Sequence, residues 1–304
     1  MARLLDQANV GPKGFRQLLD SGELILAPGA FDALSARIVE AAGFPAVYMT
    51  GFGTSAALLG QPDVGLLTQT EMIENARRIV QAVNVPLIAD ADTGYGNPLN
   101  VIRTVHLYER AGVAAIHLED QITPKKCGHM EQKQLIPTDE MVAKVRAANE
   151  ARESANFTLI ARTDARAVEG LPAALDRAAR YLDAGADVLF IEAPQSREDV
   201  EAIAVRFAGT PLLFNWAEGG KTPPIPLSEL RRFGFRLVIF PSSLLLSATQ
   251  AMQAAARRIR ADGTPMSLLP ELPTFQEFTA FVGLPEVQDI ERRFGIQGDV
   301  GTAQ

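Results

Sequence analysis

The stretch ERAGVAAIHLED at residues 109–120 places the end of a helix directly before a buried strand. Amphipathic sequence runs up to Gly112, and an apolar stretch that closes with Glu119 and Asp120 follows almost at once. Glycine is the residue that most readily takes the left-handed conformation in which many helices end. A continuous apolar run suits a parallel strand that is covered on both faces. The stretch therefore predicts one helix-to-strand unit of an α/β fold.

The same unit recurs along the chain, which indicates a repeated architecture. It returns as EAAGFPAVYMTG at 40–51, LDAGADVLFIEAP at 182–194 and RRFGFRLVIFPSS at 231–243. Four further apolar stretches, two of them introduced by proline, complete a set of eight predicted strands. These strands begin near Leu24, Ala46, Leu87, Ala114, Thr158, Val188, Leu212 and Leu237. Segments with helical periodicity separate most of them, at 70–83, 101–111, 138–152, 171–184 and 197–207.

Eight buried strands that alternate with helices predict a (β/α)8 barrel, the TIM barrel. An open doubly wound sheet is the alternative, but such sheets usually carry a phosphate-binding loop after the first strand. The only suitable glycine pair, Gly51 and Gly53, lacks a third glycine at the required spacing. No linker-like segment interrupts the chain between Arg16 and Gly263, so we expect residues 1–304 to form a single barrel domain.

A helical arm is expected after the eighth strand, over residues 242–304. Helical periodicity covers 242–262, 274–282 and 286–294. The arm has more apolar surface than a barrel needs, so we expect it to pack on a partner subunit.

Composition and charge exclude several classes of protein. The 304 residues are 47% hydrophobic and 21% charged, with a formal charge of -7 and no basic stripe, so we expect no nucleic-acid partner. No apolar run approaches the ~18 residues of a membrane helix, and the first residues lack the apolar region of a signal peptide. We expect no membrane partner and a cytoplasmic location. The single cysteine, Cys127, cannot form an internal disulfide, which suits a reducing compartment.

Acidic side chains follow neighbouring predicted strands, where the catalytic loops of a barrel converge. Asp90 and Asp92 are two residues apart, so in an extended chain they point to the same side. Together with Glu119 at the end of the next strand they would repel one another unless a cation lies between them. Oxygen ligands of this kind suit Mg²⁺ or Mn²⁺. The alternative is a simple turn in which the acids are solvated.

The loop EDQITPKKCGHMEQKQLIP at 119–137 is the most distinctive part of the chain. Cys127 stands beside Lys125, Lys126 and His129, whose positive charge would stabilise a thiolate and lower the pKa of the thiol. We expect an acid/base role for this cysteine, although a lone cysteine is more often a small buried apolar residue. His106 and His117 lie inside a predicted helix and strand, which favours structural roles for both.

Two features suit the binding of a carboxylic acid. Arg162, at the end of the fifth strand, can hold a carboxylate with its guanidinium fork, the alternative being an ion pair with Asp164 or Glu192. The backbone donors of residues 50–52, which are Thr50, Gly51 and Phe52, could bind a second carboxylate, the alternative being a plain tight turn.

These motifs resemble those of the isocitrate lyase and phosphoenolpyruvate mutase superfamily. KKCGH at 125–129 is similar to the signature of that superfamily. Supporting matches are YMTGFG at 48–53, PDVG at 62–65, ADADTGYGN at 89–97, HLEDQ at 117–121, ARTDA at 161–165 and IEAP at 191–194. The chain length resembles that of the short branch, which includes 2-methylisocitrate lyase and dimethylmalate lyase-like members.

The resemblance implies a Mg²⁺-dependent barrel that binds a small carboxylic acid, assembled as a homotetramer in which two dimers each exchange C-terminal helices. It implies that the loop carrying Cys127 is a mobile gate. The metal would be surrounded directly or through water by Asp63, Asp90, Asp92 and Glu119. Arg162 and the backbone of residues 50–52 would hold the keto-acid end. The pocket would be completed by Tyr48, Lys126, Gly128, His129, Glu192 and Asn215.

The activity implied is cleavage of the C2–C3 bond of a 2-hydroxy acid, of the 2-methylisocitrate or alkylmalate type, to an α-keto acid and a second carboxylic acid. Mg²⁺ would stabilise the alkoxide, Lys126, His129 and Glu192 would surround the enediolate, and Cys127 would protonate it. Phosphoenolpyruvate mutases lack a cysteine in this loop, and the short oxaloacetate decarboxylases lack KKCGH. NWAEGGKTP at 215–223 is more similar to enzymes of alkylated malates or oxaloacetate than to the Thr-Glu-Phe-Gly of methylisocitrate lyases.

Three alternatives stay open. Within the superfamily they are an oxaloacetate hydrolase or decarboxylase and a carboxyphosphonoenolpyruvate mutase-type enzyme. A Schiff-base aldolase would need one of the six lysines, none of which lies in a predicted strand. A barrel that binds keto acids without catalysis is the alternative from another class of protein.

Overall fold

Eight parallel strands form the centre of the molecule. The structure, a computed structural model, describes residues 10–295 of the chain. The strands are β1 (Ile25–Ala30), β2 (Val47–Met49), β3 (Leu87–Asp90), β4 (Ala115–Glu119), β5 (Thr158–Thr163), β6 (Val188–Ile191), β7 (Leu213–Asn215) and β8 (Leu237–Phe240). Each begins within a residue or two of its predicted start.

The strands close into a barrel. Parallel ladders join them in the order β6-β5-β4-β3-β2-β1-β8-β7. A further parallel bridge between Leu189 and Leu212 brings β6 beside β7, so the sheet is nearly closed. The predicted (β/α)8 barrel is confirmed, and the open doubly wound sheet is not formed.

Helices follow or separate the strands as the periodicity predicts. They are α1 (Gly11–Asp20), α2 (Ala33–Ala41), α3 (Gly51–Leu59), α4 (Gln69–Ala82), α5 (Pro98–Arg110), α6 (Thr138–Ala151), α7 (Ala165–Val168), α8 (Leu171–Asp183), α9 (Arg197–Arg206), α10 (Leu227–Phe233), α11 (Ser243–Asp262), α12 (Phe275–Phe281) and α13 (Leu284–Arg293). A 3-10 helix spans Met266–Glu271. The five predicted interstrand helices agree with the structure to within three residues, whereas α3 was not predicted.

The repeated helix-to-strand unit has the backbone conformation that its glycines predict. The glycines of all four copies have φ between +84° and +108°, in the left-handed region. In the copy at 109–120, Gly112 follows α5 and the chain enters β4 three residues later. A side chain at such a position would be strained, so the glycine decides where the helix stops.

The two ends of the barrel differ in what fills them. Phe15 and Leu19 of α1 pack against the first residues of the strands, including Ile25, Ile88 and Leu237. This apolar cluster closes the end at which the strands begin. The carboxyl ends of the strands carry the polar residues, which leaves that end for the site.

The chain divides into two compact units, one ending at Ser247 and the other beginning at Ala248. The second unit contains most of α11, the 3-10 helix, α12 and α13, so the predicted arm helices are present. Phe275 in α12 is 83% exposed. Exchange of these helices between subunits stays a prediction. None of the helices within residues 10–295 has both the length and the apolar character that crossing a membrane requires.

Candidate active site

A cavity of about 230 Å³ opens at the carboxyl ends of the strands. Most of the predicted site residues line it, namely Tyr48, Thr50, Phe52, Asp63, Asp90, Cys127, Gly128, His129, Arg162, Glu192 and Asn215. Four predicted residues, Gly51, Asp92, Glu119 and Lys126, are not part of this lining. A further part of the wall was not predicted from the sequence, and it is formed by Met130, Ala217, Gly219, Gly220 and Pro241.

The Asp90 carboxylate is held by the backbone around it. It accepts hydrogen bonds from the amides of Gly51 (3.2 Å) and Asp92 (2.9 Å). A Cβ atom on Gly51 would lie 2.3 Å from Asp90 Oδ2, so only glycine permits this approach. The amide of Thr50 donates to Ala30 O at 3.1 Å. Of the three backbone donors predicted to hold a substrate carboxylate, the first two are therefore already engaged.

Lys125 lies inside the acidic cluster. Its buried ammonium is 2.8 Å from Asp63 Oδ2 and 2.8 Å from Asp92 Oδ1. Burial alone would lower the pKa of Lys125, but the carboxylates of Asp92, Asp90 and Asp63 raise it well above its usual range. Lys125 is thus a charged bridge between two loops.

The buried carboxylates outnumber the cations that reach them. Burial raises the pKa of Asp92 to about 6, in spite of Lys125. Burial also raises the pKa of Glu119 well above its usual range. Both oxygens of Glu119 lack a hydrogen-bond partner, and its nearest cation is Arg162 Nη1 at 3.1 Å. Asp90 is only 3% exposed, so the predicted alternative of a turn with solvated acids is wrong.

These residues fit a hard divalent cation. The donors are all oxygens, and the unpartnered oxygens of Glu119 can be satisfied by a cation or by water bound to one. Within residues 10–295, no three Asp, Glu, His or Cys side chains meet as a ready set of direct ligands. Mg²⁺ usually binds through one or two carboxylates and keeps several waters, so such a set is not required.

The loop that carries Cys127 is seated against the barrel. The Cys127 amide donates to Asp63 O at 3.2 Å. Gly128 fits closely, since a Cβ atom there would lie 2.6 Å from both Arg162 Nη2 and Glu192 Cγ. The Lys126 ammonium instead donates to Gln132 O at 3.3 Å and is not part of the cavity lining. Of the two adjacent lysines, the buried one is therefore Lys125.

The thiol has the opposite pKa shift from the one its neighbours in sequence suggest. Burial raises the pKa of Cys127 to about 11. The expected lowering of this pKa is wrong, because burial outweighs the effect of the nearby Arg162, and Asp63 and Glu192 raise the pKa further. Cys127 therefore carries its proton at neutral pH.

His129 links the loop to the far wall of the cavity. Its Nδ1 accepts the Lys221 amide at 3.1 Å, so a neutral ring carries its proton on Nε2. That atom lies 3.5 Å from Glu192 Oε1. Asn215 Nδ2 donates to both oxygens of Glu192 at 3.2 Å. The predicted residues His129, Glu192 and Asn215 are thus brought together.

Arg162 is surrounded by carboxylates. Its Nε and Nη2 form a fork with Asp164 at 3.0 and 3.1 Å. Nη1 approaches Glu119 at 3.1 Å and Nη2 approaches Glu192 at 3.4 Å. The ion pairs considered as an alternative to substrate binding are present, and Arg162 lines the cavity as well.

A contact at the base of the cavity was not predicted from the sequence. Tyr48 Oη and His117 Nε2 are 2.8 Å apart, and the same nitrogen lies 3.6 Å from Asp90 Oδ1. Burial lowers the pKa of His117 to about 4, so the ring is neutral. His117 lies two residues before Glu119 in β4, so strand alternation could have placed both side chains on the same face.

Comparisons with known proteins show the family of this chain. The phosphoenolpyruvate phosphomutase family profile matches residues 15–260. The chain belongs to this family. A 2,3-dimethylmalate lyase of Eubacterium barkeri is 46% identical over 92% of this chain and 96% of its own length. A 2-methylisocitrate lyase of Aeropyrum pernix is 42% identical over 91% and 88%. This phosphoenolpyruvate phosphomutase family member is an enzyme of the lyase class.

Solved structures place the chain in the same family. Oxaloacetate acetylhydrolase with 3,3-difluorooxalacetate matches with a TM-score of 0.89 and 39% identity, over 94% of this chain and 97% of that one. Phosphonopyruvate hydrolase with oxalate and Mg²⁺ matches with a TM-score of 0.85 and 31% identity, over 93% and 98%. Family members related to this chain thus differ in the reaction named for them.

Proposed function

We propose that this family member is a Mg²⁺-dependent carbon–carbon lyase. Its substrate is a 2-hydroxy di- or tricarboxylic acid of the alkylmalate or 2-methylisocitrate type, and its products are an α-keto acid and a second carboxylic acid. The observation that carries the proposal is the position of Cys127 at a cavity that is also lined by Arg162 and buried carboxylates, where burial raises the pKa of the thiol. The lyase names of the relatives support the reaction class.

Arg162 and the start of α3 bind the substrate carboxylate in this proposal. The fork to Asp164 fixes the orientation of the Arg162 guanidinium. The substrate carboxylate would bind the N–H groups that do not take part in this fork. Phe52 follows Gly51 at the amino end of α3, where backbone N–H groups favour a negative charge.

The acidic cluster is the proposed metal site. Asp63, Asp90, Asp92 and Glu119 would surround Mg²⁺ directly or through water, and Mn²⁺ is an alternative ion. When bound, the ion offsets negative charge that develops on the oxygens of the substrate. The related phosphonopyruvate hydrolase was solved in complex with oxalate and Mg²⁺, which supports this choice of cofactor.

Cys127 is the proposed proton donor. In the proposed reaction a basic group of the cavity takes the proton of the C2 hydroxyl, the C2–C3 bond breaks, and its electron pair remains on C3 next to the departing carboxylate. The neutral thiol of Cys127 donates its proton to C3, and the base returns a proton to the thiolate at the end of the cycle. His129, Glu192 and Asn215 surround the oxygens of that product from the facing wall, and Tyr48 faces them from the base. Lys126 does not reach the cavity lining in this structure, so we assign it no direct contact with substrate. The seated loop excludes water from the intermediate.

The wall of the cavity favours a substrate with an alkyl substituent. Phe52, Met130, Ala217 and Pro241 present apolar surface to a space of about 230 Å³. A small branched malate uses such a wall better than an unsubstituted acid does. Hydrolysis of oxaloacetate is the second candidate, supported by the similarity to oxaloacetate acetylhydrolase.

We also propose that the enzyme works as a cytoplasmic homotetramer built from helix-swapped dimers. The exposed apolar side chains of the second unit, such as Phe275 and Met266, support burial against another copy. Light scattering coupled to size exclusion measures the mass, and a monomer at micromolar concentration contradicts the proposal.

A panel of C4 to C7 hydroxy and keto acids tests the reaction. Each acid is incubated with Mg²⁺, and pyruvate, glyoxylate and oxalate are measured with coupled assays. Pyruvate from an alkylmalate supports the lyase, whereas oxalate from oxaloacetate supports the hydrolase. Cys127→Ser is the matched control, which should bind substrate but lose turnover. Trapping of a substrate adduct by borohydride would support a Schiff-base aldolase instead.

A further inference from the structure

Lys133 is a buried lysine in a loop whose neighbouring residues are exposed. The side chains of Gln132 and Gln134 face solvent, whereas the side chain of Lys133 is 1% exposed. Burying an ammonium group is costly unless acceptors satisfy it. The acceptors around the Lys133 ammonium therefore offset the cost of its burial, and they show which parts of the molecule it connects.

Lys133 joins the cysteine loop to the barrel. Its Nζ donates to the carbonyl of Gly128, the residue after Cys127, and to Asp164 Oδ1 at 2.9 Å. The same Asp164 carboxylate forms the fork with Arg162. One ammonium thus connects the peptide next to the thiol with the guanidinium that lines the cavity.

The close fit at Gly128 makes this connection sensitive to position. Its backbone lies against Arg162 and Glu192 with no space for a methyl group. The Gly128 carbonyl can therefore meet the Lys133 ammonium only when the loop is fully seated. Although burial opposes it, Arg162 and Lys133 hold the pKa of Asp164 well below its usual range, so the carboxylate stays charged.

We propose that Lys133 is a positioning residue that keeps the loop carrying Cys127 seated on Arg162 through Asp164. Lys133 touches no substrate in this arrangement. The contribution of Lys133 to catalysis rests on the proposed function, in which Cys127 donates a proton. Its effect on the position of the loop is separate from catalysis and can be tested without substrate.

A second lysine, Lys221 in the segment between β7 and α10, provides a matched control because it contacts the same cysteine loop. Lys221 reaches Glu131 at 2.6 Å, and these side chains are 28% and 82% exposed. An exposed ion pair contributes little because water and salt screen it. Removal of Lys221 should therefore leave the loop seated, whereas removal of the buried Lys133 should release it.

The test measures how fast iodoacetamide alkylates the only cysteine of the chain in the folded, metal-free enzyme. We expect Lys133→Met to raise the rate about tenfold or more, since charged hydrogen bonds are lost from a buried site. Lys221→Met should change the rate less than about threefold. Circular dichroism and thermal unfolding verify that each variant is folded at the assay temperature.

The same variants distinguish an effect of Lys133 on the position of the loop from an effect on the stability of the whole fold. A residue that only stabilised the fold would lower Tm without changing alkylation of the folded enzyme. An unchanged rate in folded Lys133→Met, or an equal rise in both variants, overturns the proposal. Lys133→Gln, which keeps a donor but no charge, is judged by the same criterion if the methionine variant unfolds. Because no substrate is used, a wild-type enzyme that fails the hydroxy-acid panel contradicts the proposed function and leaves this result intact.

Discussion

Raising the pH tests the protonation state of Cys127 directly. The pKa of this thiol is raised from 9.0 to about 11 by burial. Each pKa unit changes the thiolate population about tenfold below the pKa, so at pH 8 the folded enzyme should contain about a hundredfold less thiolate than the unfolded chain. Alkylation requires the thiolate, and the rate should therefore be lower by about the same factor.

The assay is the rate of iodoacetamide alkylation from pH 7 to pH 11.5, in native protein and in guanidinium chloride. Since Cys127 is the only cysteine, Cys127→Ser provides the blank. The native curve should still be rising at pH 11, whereas the unfolded curve should level off near pH 10. Loss of the thiol proton removes the proposed acid, so the fall of kcat at high pH that is due to Cys127 should appear only as the pH passes the native pKa of this thiol. A native curve that levels off together with the unfolded curve, near pH 10, refutes the reasoning.

Three further predictions concern the metal site, the seated loop and the assembly. Glu119→Gln removes one carboxylate of the proposed metal site, so added Mg²⁺ should raise the Tm of the variant less than it raises the Tm of wild type. If Mg²⁺ raised the Tm of wild type and of the variant equally, the ion would bind at a site that does not include Glu119. Gly128→Ala places a methyl group 2.6 Å from Arg162 Nη2, which costs about 1–3 kcal/mol in loop seating and should lower kcat/KM about tenfold to a hundredfold. Unchanged kinetics contradict a seated loop. Phe275→Asp should reduce the mass measured by light scattering, because it puts a charge on the exposed apolar face of α12.

Much of the barrel could be predicted because its signals are local. The glycines of the four repeats require a left-handed backbone, and each therefore marks a helix end without help from distant residues. Helix α3 was missed because its sequence, GFGTSAALL, has glycines at the start and no amphipathic period. The Thr50 side chain caps this helix by accepting a hydrogen bond from the Gly53 amide at 3.2 Å. Residues 50–52 therefore begin a helix and do not form the plain tight turn that was considered.

Most residues of the candidate site could also be predicted, because they lie at the ends of strands. The ends of β3, β5, β6 and β7 carry Asp90, Arg162, Glu192 and Asn215. The backbone of a barrel brings these strand ends together, independently of the side chains that they carry. The roles of the lysines could not be predicted in this way. Lys125 and Lys126 are adjacent in sequence, and only the fold decides which of them meets Asp63 and which faces solvent.

The sequence by itself determined the barrel, the acids and arginine at its open end, and a loop with one cysteine near them. These depend on periodicity, glycine conformation and order along the strands, which are properties of short segments. The tertiary structure decided which charges are already paired and how deeply each group is buried. The pKa of Cys127 follows from the tertiary structure, because burial raises it and Asp63, from another loop, raises it further. The local sequence KKCGH therefore predicts a lowered pKa for this thiol, whereas the fold raises it.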